Sequence, residues 1–272
     1  MAALRLLKQL QAEKRPASDA EQAILAQYIG WGHTELAKVV DPRGVTQLTG
    51  KDPRLGKARE ELDQILSKDE LKELGESTAN AHYSFSDIPR AMWALTQRLG
   101  FQGGSILEPA VGTGHFFGTM PDSMLAHRKT VLFGVDKEPI AAAIASQLYQ
   151  GATMQASPLQ EARVPENFFD LVISNVPFGR IPIFDPAFMP AAKAVMARSI
   201  HNYYFGKALD AVRPGGLVVF ITSRYTLDSQ SDAVRRYLDE RAHFIGAFRL
   251  PSSAFQSTAG TEVVTDVIVL QK

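Results

Sequence analysis

Short apolar runs alternate with amphipathic segments along the last two thirds of the chain. Apolar runs bounded by turn residues are typical of buried strands, and apolar residues three and four positions apart are typical of helices. The predicted strands cover residues 105–108, 130–135, 152–155, 170–174, 217–222, 243–249 and 265–270. The predicted helices between them cover residues 88–99, 139–149, 191–212 and 231–241. This alternation predicts an α/β fold with a doubly wound, mostly parallel, Rossmann-like sheet of seven strands.

The first part of the chain carries helical signals only. Residues 2–13 place leucines at helical spacing, and Ser18-x-x-Glu21 and Ser67-x-x-Glu70 are capping boxes that open further helices. We therefore expect a helical N-terminal extension over residues 1–76, packed on a catalytic domain over residues 77–272.

Composition narrows the class of protein. The 272 residues are 45% hydrophobic, which supports a sizeable core, and 29 basic residues balance 29 acidic ones. A neutral chain has no global electrostatic footprint for nucleic acid, so any such contact needs a local patch. The chain has no cysteine, which excludes disulfides and cysteine-ligated metals, and no metal site is predicted. Without a long apolar run or a signal peptide, we expect a cytoplasmic protein with no membrane partner.

The candidate chemistry begins where the strand at 105–108 ends. Glu108 is followed by a proline and by Gly112 and Gly114, a turn that lets the backbone approach a ligand. Gly-x-Gly alone also fits a strand–turn without a ligand. The carboxylate of Glu108 would repel a pyrophosphate but attract a cationic ligand. Asp136 ends the next long strand, where an acid can accept hydrogen bonds from ribose hydroxyls or cap the following helix.

Two motifs carry a family resemblance. Glu108-Pro-Ala-Val-Gly-Thr-Gly-His-Phe116 resembles motif I of the amino-methyltransferases, and Asn175-Val-Pro-Phe178 resembles their Asn/Asp-Pro-Pro-Tyr/Phe signature. Residues 78–87 resemble motif X of the same enzymes. The cofactor motifs precede the catalytic one, which is the gamma order. Later blocks, at 201–205, 213–225, 249–255 and 260–266, resemble N6-adenine DNA methylases of phages and plasmids, in which a helicase-like region is often fused.

The resemblance implies S-adenosylmethionine as the cofactor, with Glu108 near its ammonium and Asp136 on its ribose. The family often has an acid that binds the amino group of the cofactor's adenine. Here the nearest candidates for this contact are Gln160 and Glu161. The implied cofactor-binding residues are Ala81, His82, Tyr83, Glu108, Ala110, Gly112, Gly114, Phe116, Asp136, Lys137, Gln160 and Asn175.

The implied catalytic residues are Asn175, Val176, Pro177 and Phe178. The Asn175 side chain and the Val176 carbonyl would each accept an N–H of a planar amine and aim its lone pair at the methyl group. Phe178 would stack on an extruded base. Val176 stands where many relatives have a first proline. Alone, the tetrapeptide also fits an ordinary strand-ending turn.

The predicted reaction is methyl transfer from S-adenosylmethionine to N6 of adenine in DNA. Arg180, Lys193, Arg198 and Arg224 are candidate DNA contacts or, alternatively, solvated surface charges. Gamma enzymes usually carry a target-recognition domain after the catalytic one, and none follows here. We therefore expect low intrinsic sequence specificity unless a fused or separate helicase-like or target-recognition partner is added.

Other readings stay open. Release-factor glutamine methyltransferases share the catalytic signature, so a protein-glutamine substrate fits the motif, as does an RNA base. A catalytically inactive methylase fold retained as a DNA-binding subunit is a further alternative. The biological context implied by the resemblance is restriction-modification or anti-restriction.

Overall fold

A computed structural model of the chain describes residues 1–31, 34–40, 53–78, 87–127, 129–255 and 264–272. Within these ranges, the helices that precede the sheet are α1 (Ala2–Glu13), α2 (Asp19–Leu25), α3 (Thr34–Val40), α4 (Pro53–Ile65) and α5 (Lys68–Thr78). Those that accompany the sheet are α6 (Asp87–Arg98), α7 (His115–Gly118), α8 (Asp122–Leu125), α9 (Pro139–Leu148), α10 (Ala191–Ala194), α11 (Ile200–Ala211), α12 (Tyr225–Asp228) and α13 (Ala233–Asp239).

Seven strands form one sheet in the order β3-β2-β1-β4-β5-β7-β6. They are β1 (Ser105–Glu108), β2 (Val131–Asp136), β3 (Thr153–Ala156), β4 (Phe169–Asn175), β5 (Val212–Ser223), β6 (His243–Arg249) and β7 (Thr265–Gln271). Among the strands of the described ranges, β7 alone runs antiparallel to its neighbours, which are β5 and β6. The predicted doubly wound, mostly parallel seven-stranded sheet is therefore confirmed. The strand order reverses between β1 and β4, and ligands of such sheets bind outside the carboxyl ends of the strands at that point.

The core lies on both faces of the sheet because side chains of a strand alternate between faces. In β5, Phe220 packs with Tyr203 and Phe205 of α11, whereas Ile221 faces the opposite layer, which contains Trp93 of α6. Both layers exclude water from the middle strands, so β4 and β5 are apolar along most of their length.

The N-terminal helices pack on α9, as expected. Leucines of α1 share a hydrophobic cluster with Ile140 and Ile144 of α9. The amide of Ala17 donates to Oε1 of Gln147 at 2.8 Å, and Gln150 donates to the Ala17 carbonyl at 2.6 Å. These contacts join the extension to the sheet, while the boundary at residue 76 stays a prediction.

The predicted continuous helix over residues 191–212 is wrong. The segment contains α10, a 3₁₀ turn at Met196–Arg198 and α11. Ser199 breaks it, because its φ of −146° and ψ of 141° are extended and it serves as the N-cap of α11. Serine competes with helical hydrogen bonding through its own hydroxyl and is favoured at caps. The break places the start of α11 beside the catalytic motif.

No helix within the described ranges has both the length and the apolar character needed to cross a bilayer.

Trp93 ties α6 to the turn after β1, because its buried indole donates to the Phe116 carbonyl at 2.9 Å. Trp93→Phe should lower the free energy of unfolding by about 0.5–1.5 kcal/mol beyond the packing loss, since it removes one hydrogen bond while the Phe116 carbonyl still accepts from the Thr119 amide at 3.2 Å. Trp31→Phe is the control: Trp31 is also buried, but its Nε1 has no hydrogen-bond partner among the described residues. Denaturant titration of both variants measures the difference, and equal losses would contradict the expectation.

Candidate active site at the carboxyl ends of the strands

Three candidate residues are the last residues of three adjacent strands. β1 lies between β2 and β4, with Glu108 paired in register to Gly134 and Leu107 to Val172. Parallel strands end at the same edge, so Glu108, Asp136 and Asn175 come together at the point where the strand order reverses. The structure thus brings together residues that are separated by up to 67 positions in the sequence (175 − 108 = 67).

The turn after β1 has a left-handed backbone at both glycines, with φ of 52° at Gly112 and 85° at Gly114. A side chain on Gly112 would meet no atom within 4 Å, whereas one on Gly114 would overlap the ring of Tyr149. Gly112 therefore leaves open space for a ligand to approach the backbone, and Gly114 is required by packing.

Asp136 holds this turn in place. Its Oδ2 accepts from the Gly112 amide at 2.7 Å, and its Oδ1 accepts from the Glu138 amide at 2.9 Å. The alternative role as N-cap of the next helix is wrong. Glu138 caps α9, accepting from the amides of Ile140 and Ala141 at 2.8 and 2.9 Å. Asp136 is only half-buried, and each of its oxygens has a second lone pair for a ligand hydroxyl.

Glu108 is 2% exposed, and its Oε2 has no hydrogen-bond partner in the part of the chain that the structure describes. Burial, and then the nearby charge of Asp136, raise the pKa of Glu108 well above its usual value. Burial also raises the pKa of Asp136 and, with the charge of Asp136, raises the pKa of Glu138 to about 7. Three acids in one desolvated corner favour a cationic ligand, which would stabilise their charged forms.

The segment 175–178, predicted to be catalytic, continues from β4 across the same edge. The Val176 amide donates to the Ile221 carbonyl at 3.1 Å, which extends the sheet ladder by one residue. The Ser174 hydroxyl lies 3.5 Å from the Ala110 carbonyl and joins this strand end to the turn after β1. Val176 is buried, whereas Pro177 and Phe178 are half-buried, with the Phe178 ring packed against the core layer that contains Trp93.

The other predicted cofactor residues are distributed unevenly. Phe116 is buried in the core and contributes packing. Lys137 is exposed beside Asp136, and Gln160 is half-buried in the segment after β3. Near the start of that segment, the Ser157 amide donates to the Asp136 carbonyl at 2.8 Å. The predicted residues Ala81, His82 and Tyr83 lie outside the described residues.

The four candidate cations separate into two places. The guanidinium carbons of Arg180 and Arg224 lie 5.6 and 4.9 Å from the centroid of the Tyr225 ring. Arg180 and Arg198 both line a cavity next to this ring. Lys193 instead pairs with Asp210 at 2.7 Å. The structure therefore brings three arginines together and leaves Lys193 in an ion pair with the last part of α11.

Three tyrosines were not predicted as contributors. The Tyr149 hydroxyl donates to the Gly114 carbonyl at 2.7 Å. The Tyr203 hydroxyl donates to Asp185 at 2.6 Å and so anchors the loop after the catalytic motif. Tyr204 lies close enough to Asp136 for that charge to raise its pKa, after the larger effect of burial. The tyrosines at 203 and 204 belong to one of the blocks that carry the resemblance, but spacing alone does not reveal which atoms they contact.

Known proteins share parts of this chain. Over 198 residues, or 72% of this chain, it is 29% identical to the defense against restriction protein B of Escherichia phage P1. The chain spans only 8% of that protein's length. No protein-family model matches it.

Two solved structures illustrate the fold likeness. A Listeria monocytogenes protein described as a class I S-adenosylmethionine-dependent methyltransferase has a TM-score of 0.58 at 17% identity, covering 99% of this chain and 88% of that one. The methyltransferase subunit of a type I restriction-modification system from Streptococcus thermophilus has a TM-score of 0.58 at 14% identity, covering 98% and 64%. At these identities the likeness establishes the fold, which is that of class I methyltransferases.

The pH dependence of stability tests the environment of Glu108. A carboxyl whose pKa is raised by folding stabilises the folded state at low pH, and this stability is lost as pH rises through the folded pKa. The loss reaches about 1.4 kcal/mol per pH unit for each group. The free energy of unfolding of Glu108→Gln should therefore decline less steeply than that of the wild type as the pH rises above about 5, as measured by denaturant titration at each pH.

The matched control is Glu166→Gln, because Glu166 is exposed. We expect the control to follow the wild-type curve. If Glu108→Gln followed it as well, the carboxyl of Glu108 would not be in the desolvated environment described here.

Proposed function

We propose that the chain binds S-adenosylmethionine at this edge of the sheet. The observation that carries the proposal is Glu108, a buried carboxylate with one oxygen unpartnered among the described residues, next to a second acid. An ammonium group would supply the missing donor and offset the charge of both acids. Gly112 leaves room for the ligand, and Asp136 offers acceptors for ribose hydroxyls. The donor set therefore fits this cofactor, and the fold likeness to a class I methyltransferase supports it.

The proposed reaction is transfer of a methyl group to an exocyclic amine. S-adenosylmethionine supplies an electrophilic methyl group on its sulfonium. An amine on a base is a poor nucleophile because its lone pair is delocalised into the ring. In the proposed mechanism Asn175 Oδ1 and the Val176 carbonyl each accept one N–H, which favours a tetrahedral nitrogen. The nitrogen would take the methyl group as the carbon–sulfur bond breaks to leave a thioether, and the product ammonium would then lose one proton to solvent. No strong base is required, because positioning and desolvation lower most of the barrier.

The segment 175–178 is suited to hold an amine without moving in the reaction. The Val176 amide is bonded to β5, so the direction of its peptide group is set by the sheet. Pro177 restricts the backbone that follows. Phe178 is half-buried and packs against the core layer that contains Trp93. In the proposed mechanism its ring stacks on the extruded base.

We propose adenine N6 in DNA as the acceptor. The sequence similarity to a phage protein named for defence against restriction supports a DNA substrate and an anti-restriction or restriction-modification context. The fold likeness to a type I restriction-modification methyltransferase subunit points the same way. An RNA base or a protein glutamine presents the same planar amide or amine geometry and remains the alternative. A helicase-like or target-recognition partner, fused or separate, is the further part of the proposal.

Transfer of a labelled methyl group to mixed-sequence DNA, RNA and protein fractions tests the function. We expect label in DNA alone, and mapping should find it on adenines with little preference for neighbouring bases. The physical reason is that sequence is read by groove contacts, whereas the proposed catalytic residues contact only the extruded base. Label in RNA or protein would contradict the substrate, and a single recognition sequence of several bases would contradict the expected low specificity.

Two variants separate cofactor binding from chemistry. Asp136→Ala should weaken S-adenosylmethionine binding by about 1–3 kcal/mol, because ribose hydroxyls lose their acceptors. Asn175→Ala should leave that affinity nearly intact and reduce turnover strongly, which is the pattern of a transition-state interaction. Calorimetry and single-turnover kinetics measure the two effects. Asp239→Ala, an exposed acid at the end of α13, is the control for both; wild-type turnover in Asn175→Ala would remove that residue from the mechanism.

A further inference from the structure

A cavity of about 610 Å³ lies beside the segment 175–178. Its volume is within the range of about 300–1,000 Å³ that is typical of small-ligand sites. Arg180 and Arg198 line it, together with Tyr225 and the polar residues 228–231, and the first turn of α11 contributes Ser199, His201 and Asn202. None of the reaction steps above uses this cavity.

The first turn of α11 gives the cavity a positive end. The helix has 12 residues, and the amides of its first turn have no acceptor within the helix. The side chain of its N-cap, Ser199, makes no hydrogen bond to these amides and instead accepts from Asn202 Nδ2 at 2.8 Å. The helix dipole therefore adds to the arginines, and such a terminus favours an anion.

His201 adds a buried imidazole to the wall of the cavity. The residue is 3% exposed, and its Nδ1 has no hydrogen-bond partner among the residues that the structure describes. Its Nε2 lies 3.5 Å from the Ser199 hydroxyl. Burial lowers the pKa of His201, although a hydrogen bond between His201 and the Gly179 backbone opposes the shift. A neutral imidazole can donate one hydrogen bond, and buried polar atoms are nearly always paired.

The charges around the cavity are predominantly positive. Arg180 and Arg224 flank the Tyr225 ring, and Arg224 donates to the Tyr225 hydroxyl at 3.2 Å. Among the described lining residues the acid is Asp228, which Arg249 neutralises through a hydrogen bond of 2.9 Å. Ser229, Gln230 and Ser231 add neutral hydrogen-bonding groups. This composition fits an anion with several acceptor oxygens, because guanidinium groups bind phosphate oxygens in pairs.

We propose that this cavity binds one phosphodiester group of the DNA strand, next to the target adenine. The inference rests on the proposed function and names the part of the substrate that the cavity holds. Arg180 follows Phe178 by two residues, so their Cα atoms are at most about 7.6 Å apart. Phosphates recur about every 3.4 Å along one strand, which puts a neighbouring phosphate within the same reach. The contact would position the strand while the catalytic segment holds the extruded base.

The experiment measures DNA binding and methylation separately, using a duplex with one mismatched adenine. Arg198→Gln is the test variant, because Arg198 is exposed and lines the cavity. Arg98→Gln is the matched control, because Arg98 is an exposed arginine that ends α6, before β1 begins, at the opposite edge of the sheet. Loss of one phosphate contact lowers the slope of log affinity against log salt concentration by about one. The ratio of wild-type to Arg198→Gln affinity should therefore fall roughly 3-fold between about 50 and about 200 mM salt.

Neutral methylphosphonate linkages, introduced one at a time, identify the phosphate. We expect one linkage beside the target adenine at which neutralisation weakens binding to the wild type and to Arg98→Gln but adds nothing to Arg198→Gln. Such a result also distinguishes a phosphodiester of the strand from free phosphate.

If the wild type methylates DNA and Arg198→Gln matches Arg98→Gln in affinity and salt slope, the cavity proposal is overturned while the proposed function stands. If DNA is bound with an Arg198-dependent slope but not methylated, the proposed function fails and the phosphate site remains. Absence of both binding and methylation overturns both proposals.

Discussion

The site depends on one electrostatic constraint: two carboxylates, the buried Glu108 and the half-buried Asp136, are held at the ends of adjacent strands. Burial raises the pKa of both groups, and the charge of Asp136 raises that of Glu108 further. Asp136 is partly compensated, because the amides of Gly112 and Glu138 donate to it. Glu108 has no such compensation at Oε2 within the described chain. A cation bound at this edge would therefore stabilise the folded protein, because it would compensate the charge of Glu108.

α11 connects the parts of the site that the sheet alone does not join. Its first turn lines the cavity beside Arg180, and His201 lies close to the backbone of Gly179, next to the catalytic segment. One turn further, Tyr203 donates to Asp185 in the loop after that segment, and Tyr204 lies within reach of the charge of Asp136. Because the body of α11 is packed on β4 and β5, these contacts are fixed by the hydrophobic core. Displacement of this helix would disturb the acidic corner and the basic cavity together.

The net charge of zero conceals a separation of charge within the fold. Acids are concentrated where β1 and β2 end. Arginines line the cavity formed by residues that follow β4 and β5. Interactions between exposed charges decay within about 8 Å at physiological ionic strength, while buried charges are screened less. This separation would allow one neutral chain to bind the proposed cationic ligand and the proposed anionic strand, with the segment 175–178 between the two regions.

The sequence by itself determined the fold class, the seven strands and the three strand-end residues, because hydrophobic periodicity and turn residues are local and strong signals. It also indicated Glu108 as a cation ligand, from the position of an acid in a glycine turn. The sequence did not reveal that Ser199 interrupts the helix predicted over residues 191–212. A serine can lie inside a helix or cap one, and the packing of the chain decides which. The partners of Lys193 and the roles of Tyr149, His201 and Tyr203 also required the tertiary structure. These contacts join residues far apart in sequence, and only the packing of helices on the sheet decides which distant side chains meet.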